Sequence, residues 1–137
     1  MPYWIIKQEP AAYSWDTLVR EKTTQWTGVR NFQARNHLRA MKKGDYALFY
    51  HSGEEKQLVG LTCVRREAFP DPTAAEGDWS AVEVQTLKPL SKPLPLAQMK
   101  ADPELATMAL VKQSRLSVCP LSEAHFKLIM ELSGTRL

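Results

Sequence analysis

Cysteine is scarce in this chain of 137 residues, and the two it has, Cys63 and Cys119, stand far apart and outside any CxxC pattern. That excludes a disulfide framework and a thiolate metal site, and it fits two buried free thiols in a reducing compartment. Histidine is scarce too: His37, His51 and His125 have no metal-ligand spacing between them. No apolar run reaches the roughly 18 residues that a membrane-spanning helix needs. The start, MPYWIIKQEP, lacks a basic n-region and a small-residue cleavage site, so no secretory signal is expected. With no address signal, cytoplasm is the default. Catalytic devices are missing as well: no GxSxG elbow, no HExxH, no Walker loop and no GxGxxG after a strand. No metal or cofactor is implied. Repeats, low-complexity tracts and linkers are absent, and the length suits one domain over residues 1–137.

One further absence is local. From Lys22 to Lys43 there is no acidic residue, while Lys22, Arg30, Arg35, Arg39, Lys42 and Lys43 are basic. The rest of the chain holds 12 basic and 15 acidic side chains, so the net charge of +3 sits in this window. A local basic patch favours an anionic partner. Its plainer explanation is a solvated helix face.

What is present is a regular alternation of short elements, with 44% hydrophobic residues to fill one core. Tyr3 to Lys7 reads as a strand, ended by Pro10. Ser14 caps a helix over WDTLVREK, on which Trp15, Leu18 and Val19 share a face. Thr23 to Gly28 reads as a loop. Asn31 caps a helix from Phe32 to Lys42, with Ala34, Leu38 and Met41 as its buried stripe. Asn31, Arg35, Arg39 and Lys42 form a neighbouring polar stripe, and Gly44-Asp45 closes the helix. Tyr46 to Ser52 is a strand apolar on both faces, with Tyr46, Leu48 and Tyr50 opposite Ala47, Phe49 and His51. It forms a hairpin with Leu58 to Arg66.

FPDPTAAEGD follows as an acidic surface loop, then a half-buried strand from Trp79 to Leu87. Three prolines from Pro89 to Pro95 are expected to break the chain before a short helix at Leu96 to Lys100. Asp102-Pro103 starts another turn. SRLSVCP is the last strand, and Ser122 caps a C-terminal helix that turns Phe126, Ile129 and Met130 inward. The fold class expected is α+β: a curled, mostly antiparallel sheet or open barrel with helices outside.

The stretch WTGVRNFQARN carries the functional question. An extruded base needs a flat apolar surface, directional groups at its Watson–Crick edge, and cations or helix N-terminal amides for its phosphates. Trp26 offers the surface, Asn31 the edge contact, and Arg30 and Arg35 the cations. The alternatives are a core tryptophan, a helix cap and two surface arginines. His51 and Ser52 are adjacent and would suggest a hydrolase, but neighbours on a strand face opposite ways. Binding is therefore favoured over catalysis.

The chain resembles the EVE domain family of the PUA-like superfamily over nearly its whole length. YWIIKQEP, YSWDTL, WTGVRNFQARNHLRAM, KGDYALFYHS, VGLTCVRREAFPDPT, DWSAVEV and MALVKQSRLSVCPLS carry the resemblance. It implies a PUA-like pseudobarrel with flanking helices and a non-enzymatic reader of a modified base in DNA or RNA, such as a 5-modified cytosine. The logic is similar to that of YTH and SRA-type readers. Carried over by motif, the base-binding set is Lys7 (KxEP), Ser14 (YS), Trp26, Arg30 and Asn31 (WxGVRN), and Arg35 of the following AR. Tyr50, His51 and Ser52 (FYHS) and Arg115, Leu116 and Ser117 (RLSV) complete it. An ordinary strand, with Leu116 in the core, is the alternative for the last three. Two departures stand out: Cys119 occupies a position where glutamine is expected, and the Pro70–Asp78 loop is short and acidic.

The partner expected is nucleic acid, with no membrane association; the oligomeric state is open, with a monomer as the default. Two other functions remain in play. One is an enzyme acting on a modified nucleotide through His51 and Lys7. The other is a protein-interaction module docking through Arg35 and Arg39.

Overall fold

Aromatic and β-branched residues open the chain and form β1, Tyr3–Gln8. Ser14 Oγ accepts from the Thr17 N–H and starts α1, Trp15–Glu21. Trp15 and Leu18 are buried there, but Val19 is exposed, because so short a helix packs along a narrow stripe. Lys22 turns the chain with φ +72°. The expected Thr23–Gly28 loop is instead a strand at its start: β2, Thr23–Trp26, whose paired threonines suit a pleated edge. Asn31 caps α2, Phe32–Ala40, with Ala34, Leu38 and Met41 fully buried as the spacing predicts. Met41 leaves the helical region, so Lys42 falls outside the helix and the polar stripe ends at Arg39.

β3, Tyr46–His51, and β4, Gln57–Pro70, form the expected hairpin, although β4 runs past Arg66 through Phe69. β5, Ser80–Pro95, crosses all three prolines that were expected to break it. β2 pairs only with Val82–Gln85, so beyond that point β5 has no strand on that edge, only isolated bonds such as those from the Ser91 and Lys92 N–H groups to Thr135 and Ser133, and a missing N–H breaks no ladder there. Next come α3 at Leu96–Ala101, a 3₁₀ turn at Leu105–Thr107 started by Asp102, and an unanticipated turn of helix, α4, Ala109–Lys112. β6, Val118–Leu121, begins later than SRLSVCP suggested and includes Pro120. α5, Glu123–Leu132, buries Phe126, Ile129 and Met130.

The computed structural model describes residues 2–137. The strand order is β2-β5-β4-β3-β1-β6, with β1 and β3 parallel and all other pairs antiparallel. Four register shifts along β4–β5 mark bulges, which bend and twist strands. The sheet curls until α2 touches both β5 and β6, near opposite ends of the order, yet its edge strands do not pair. This is an open PUA-like pseudobarrel of six strands and five α-helices among the described residues.

Candidate nucleic-acid interface

The parallel pairing of β1 with β3 decides where the expected site residues go. Lys7 lies opposite Tyr50, and Gln8 opposite His51. Side chains alternate along a strand, so Lys7 and Tyr50 share one face with Tyr3, Ile5, Tyr46 and Leu48. That face meets the C-terminal helices: Tyr3 stacks on Phe126 at 4.3 Å. Gln8, Phe49 and His51 look the other way, where the Trp26 and Trp15 rings stand 5.3 and 5.8 Å from Phe49. The motif residues therefore do not converge on one pocket. They split across the sheet.

On the Trp26 face a cleft of about 260 Å³ opens between β1, the turn before α1, and β2. Gln8, Tyr13, Thr24, Gln25, Trp26 and Thr27 line it. Trp26 belongs to the core, only 5% exposed, and still walls this cleft. Tyr13 stands edge-on to it at 6.4 Å. The Tyr13 hydroxyl donates to Glu21 Oε1 at 2.5 Å; burial, seconded by that bond, pushes its pKa up to about 12. Gln8 lines the cleft; its Oε1 accepts from the Glu9 N–H, and its NH₂ makes no hydrogen bond among the described residues.

Ser14 and His51 hold this wall rather than line it. Ser14 caps α1. The Trp15 N–H donates to His51 Nε2 at 2.9 Å, so the ring proton sits on Nδ1 and points to Glu55 Oε1, also at 2.9 Å. That contact lowers the Glu55 pKa. Gly60 is needed for the same packing: a Cβ there would come within 2.5 Å of the Trp15 ring.

Arg30 and Arg35 were expected as cations for phosphate or as mobile surface groups; both side chains are held by hydrogen bonds within the protein. Arg30 Nη1 donates to Asp71 Oδ2 at 2.9 Å, and the same oxygen accepts from the Gly28 N–H at 2.8 Å. Asp71 Oδ1 takes the Thr73 N–H and hydroxyl, each at 2.7 Å. Burial alone would raise the Asp71 pKa, but these bonds outweigh it and hold the carboxyl well below the usual range. The acidic loop is thus a structural knot that grips the WTGVRN segment, with Asp71 buried. Asn31 Oδ1 caps α2 through the Ala34 N–H at 2.9 Å. Arg35 Nη1 donates to the Asp78 carbonyl at 3.1 Å, and Arg39 Nη2 to the Asp78 carboxylate at 2.7 Å.

Sequence reasoning missed Phe32 and Trp79. Their rings stack at 5.1 Å and 18°, flanked by Arg30 and Arg35. The available signal was an aromatic residue at the start of α2 and off its apolar stripe.

On the opposite face, Lys7, Tyr50, Ser52, Lys56, Lys100 and Ser114 enclose about 220 Å³, among other residues. Lys7 Nζ donates to the Ser114 carbonyl at 3.1 Å and lies 5.8 Å from the Tyr50 ring centre. Burial lowers the Lys7 pKa and raises that of Tyr50. Arg115 and Leu116 line a separate hollow of about 310 Å³ that reaches Asn31. Leu116 is buried, Arg115 is exposed, and the Ser117 carbonyl accepts from the Lys7 N–H at 2.9 Å. An open hollow of about 620 Å³ is walled by Glu9, Glu54 and Glu55, charges that repel phosphate. Among the described residues no group of His, Cys, Asp and Glu is placed to hold a metal, and no helix is long and apolar enough to cross a membrane.

The open PUA-like pseudobarrel defines a class of small α+β domains. Within it, the chain belongs to the EVE domain family, whose model matches residues 2–132. Thymocyte nuclear protein 1 of Mus musculus is 35% identical over 167 residues, covering 97% of this chain and 74% of that protein. The NMR structure of Rpa0253 from Rhodopseudomonas palustris superposes with a TM-score of 0.92 at 46% identity, covering 98% of this chain and 94% of that one. The crystal structure of human THYN1 protein in complex with 5-methylcytosine-containing DNA superposes with a TM-score of 0.90 at 33% identity, covering 100% of both chains.

Proposed function

We propose that the chain works as one domain, a non-enzymatic reader that takes a modified base of DNA or RNA into the Trp26 cleft. The observation that carries this reading is the cleft itself. It is lined by Trp26, Tyr13 and Gln8, whose NH₂ makes no hydrogen bond among the described residues, in a chain matched end to end with a protein in complex with 5-methylcytosine-containing DNA. Trp26 gives the apolar wall, and Gln8 donates to the edge of the base. Ser14 and His51 fix α1 and so the Tyr13 side of the cleft. Arg30, Asn31 and Arg35 set the start of α2, whose first amides face a phosphate. Lys7, Tyr50, Ser52 and Arg115 serve the strand outside the cleft, while Leu116 and Ser117 position that end of β6.

Absence of catalysis is part of the proposal. Both ring nitrogens of His51 are engaged in structure, and Lys7 projects from the other face of the sheet, so the pair imagined for an enzyme is separated. The docking alternative is weakened because Asp78 already holds Arg35 and Arg39.

The test is a titration of short strands carrying cytosine, 5-methylcytosine or 5-hydroxymethylcytosine, in DNA and RNA, at two salt concentrations. Tryptophan fluorescence of the protein is compared with that of Trp26→Phe, which keeps an aromatic ring in the core. Quenching that depends on the modification, survives higher salt and weakens about tenfold in Gln8→Ala is expected, one hydrogen bond to a base edge being worth about 1–1.5 kcal/mol. Binding that ignores the modification and vanishes with salt rejects the reading.

A further inference from the structure

Phe32 is the first residue of α2 and is 66% exposed, an unusual place for a large apolar ring. It is not loose. One side of it stacks on Trp79 at 5.1 Å. Arg35 Cζ lies 5.0 Å from the Phe32 ring centre and 5.9 Å from that of Trp79. Those three separations form a nearly equilateral triangle. Arg35 therefore sits beside the stack and not over the outer face of Phe32, where it would stand much farther from Trp79. That outer face is open.

The support under the stack is built. Gly77 adopts φ +90°, and a Cβ there would come within 2.7 Å of Trp79 Nε1, so only glycine lets the loop lie against that indole. Arg30 covers Trp79 at 5.6 Å and is itself fixed by Asp71. A rigid, exposed aromatic face rimmed by guanidinium groups, beside the free amides of a helix start, has the chemistry of a base-stacking platform next to a phosphate. It is separate from the Trp26 cleft, whose lining includes neither ring.

We infer that the open face of Phe32, backed by Trp79 and rimmed by Arg30 and Arg35, stacks an unmodified base of the same nucleic acid, a neighbour of the one read in the Trp26 cleft. The inference rests on the proposed base reading and adds to it a second contact that is indifferent to modification. Stacking tolerates every base because each has a π-face. The cleft then selects, and the platform adds affinity for a strand over a lone nucleotide.

The test uses single strands carrying one 5-methylcytosine with 2-aminopurine on either side, together with 5-methyl-dCMP as a mononucleotide. Wild type quenches 2-aminopurine on one flank. Phe32→Ala abolishes that quench and weakens strand binding by about tenfold, the worth of one aromatic stack. Phe32→Tyr restores both, and the mononucleotide binds all three proteins equally. A Phe32→Ala protein that binds and quenches like wild type overturns the platform, as does an equal loss for the mononucleotide, which would make Phe32 a part of the cleft or of the fold. If wild type binds the mononucleotide and gains nothing from a strand, the platform fails while the base reading stands. If it binds neither, the base reading fails and takes the platform with it.

Discussion

Two aromatic surfaces of this molecule are built in opposite ways. Trp26 is sunk in the core at 5% exposure and meets Phe49 edge-on. Phe32 stands proud at 66% and meets Trp79 face-on. A sunk ring shows a ligand only what the cleft around it admits, so it suits selection by shape and by a few polar groups. A proud ring offers its whole face to any flat partner and selects little. The position in the core that lets Trp26 wall a cleft also makes it part of the fold, whereas Phe32 lies mostly outside the core.

Removing each ring tests that contrast most severely. Trp26→Ala is expected to destabilise the fold by about 4 kcal/mol, as a large core aromatic does when it leaves a cavity. Phe32→Ala is expected to cost only about 1 kcal/mol, the worth of its exposed stack on Trp79. Urea unfolding of the two variants measures this directly. Equal destabilisation would erase the distinction between a structural wall and an added platform.

The local halves of this picture are legible in the sequence. Ser14, Asn31 and Ser122 cap their helices as read, and Ala34, Leu38 and Met41 are buried as spaced. What could not be read is long-range. Strand alternation alone puts Lys7 and Gln8 on opposite faces, but nothing within KQEP announces the parallel pairing that sets Lys7 beside Tyr50 and Gln8 beside His51. The bond from Arg30 to Asp71 joins two segments 41 residues apart, and nothing local to WTGVRN shows that this arginine also clamps the acidic loop. The prolines of β5 look like breakers until it is known that this stretch has a strand neighbour on one edge only. Thr23–Trp26 looks like a loop because its strand is four residues long and is defined by its partner.

The Asp71 knot underlies both surfaces, since it anchors Gly28 just after Trp26 and Arg30 beneath Trp79. Asp71→Asn keeps the shape and removes the charge, and is expected to cost about 2 kcal/mol at neutral pH by weakening charge-assisted bonds to a buried carboxylate. The sign with pH follows from a folded-state pKa held below the unfolded value. The Asp71 contribution is full above the unfolded carboxylate pKa of about 3.9 and is lost as pH falls through the lower folded value. The gap between wild type and Asp71→Asn should stay constant from about pH 7 to pH 5 and narrow only below about pH 4. A gap that closes already at neutral pH would mean that Asp71 is not the ionised centre of the knot.

The smallest effect is expected on the far face of the sheet. Lys7, Lys56 and Lys100 gather there around Tyr50 with no carboxylate lining the hollow, whereas Arg30 and Arg39 are paired with Asp71 and Asp78. Free cations release counterions when they meet phosphate; paired ones have little left to release. Lys100→Gln should therefore lower the salt slope of single-strand binding by about 0.7 if a phosphate reaches that face. Arg39→Gln should lower it less. Neither change should alter the ratio of affinities for 5-methylcytosine and cytosine, because the sheet lies between Lys100 and the Trp26 cleft. Titrations at several salt concentrations supply both numbers. A changed ratio in Lys100→Gln would show that the two faces act as one site, and that the division imposed by the β1–β3 register does not divide function.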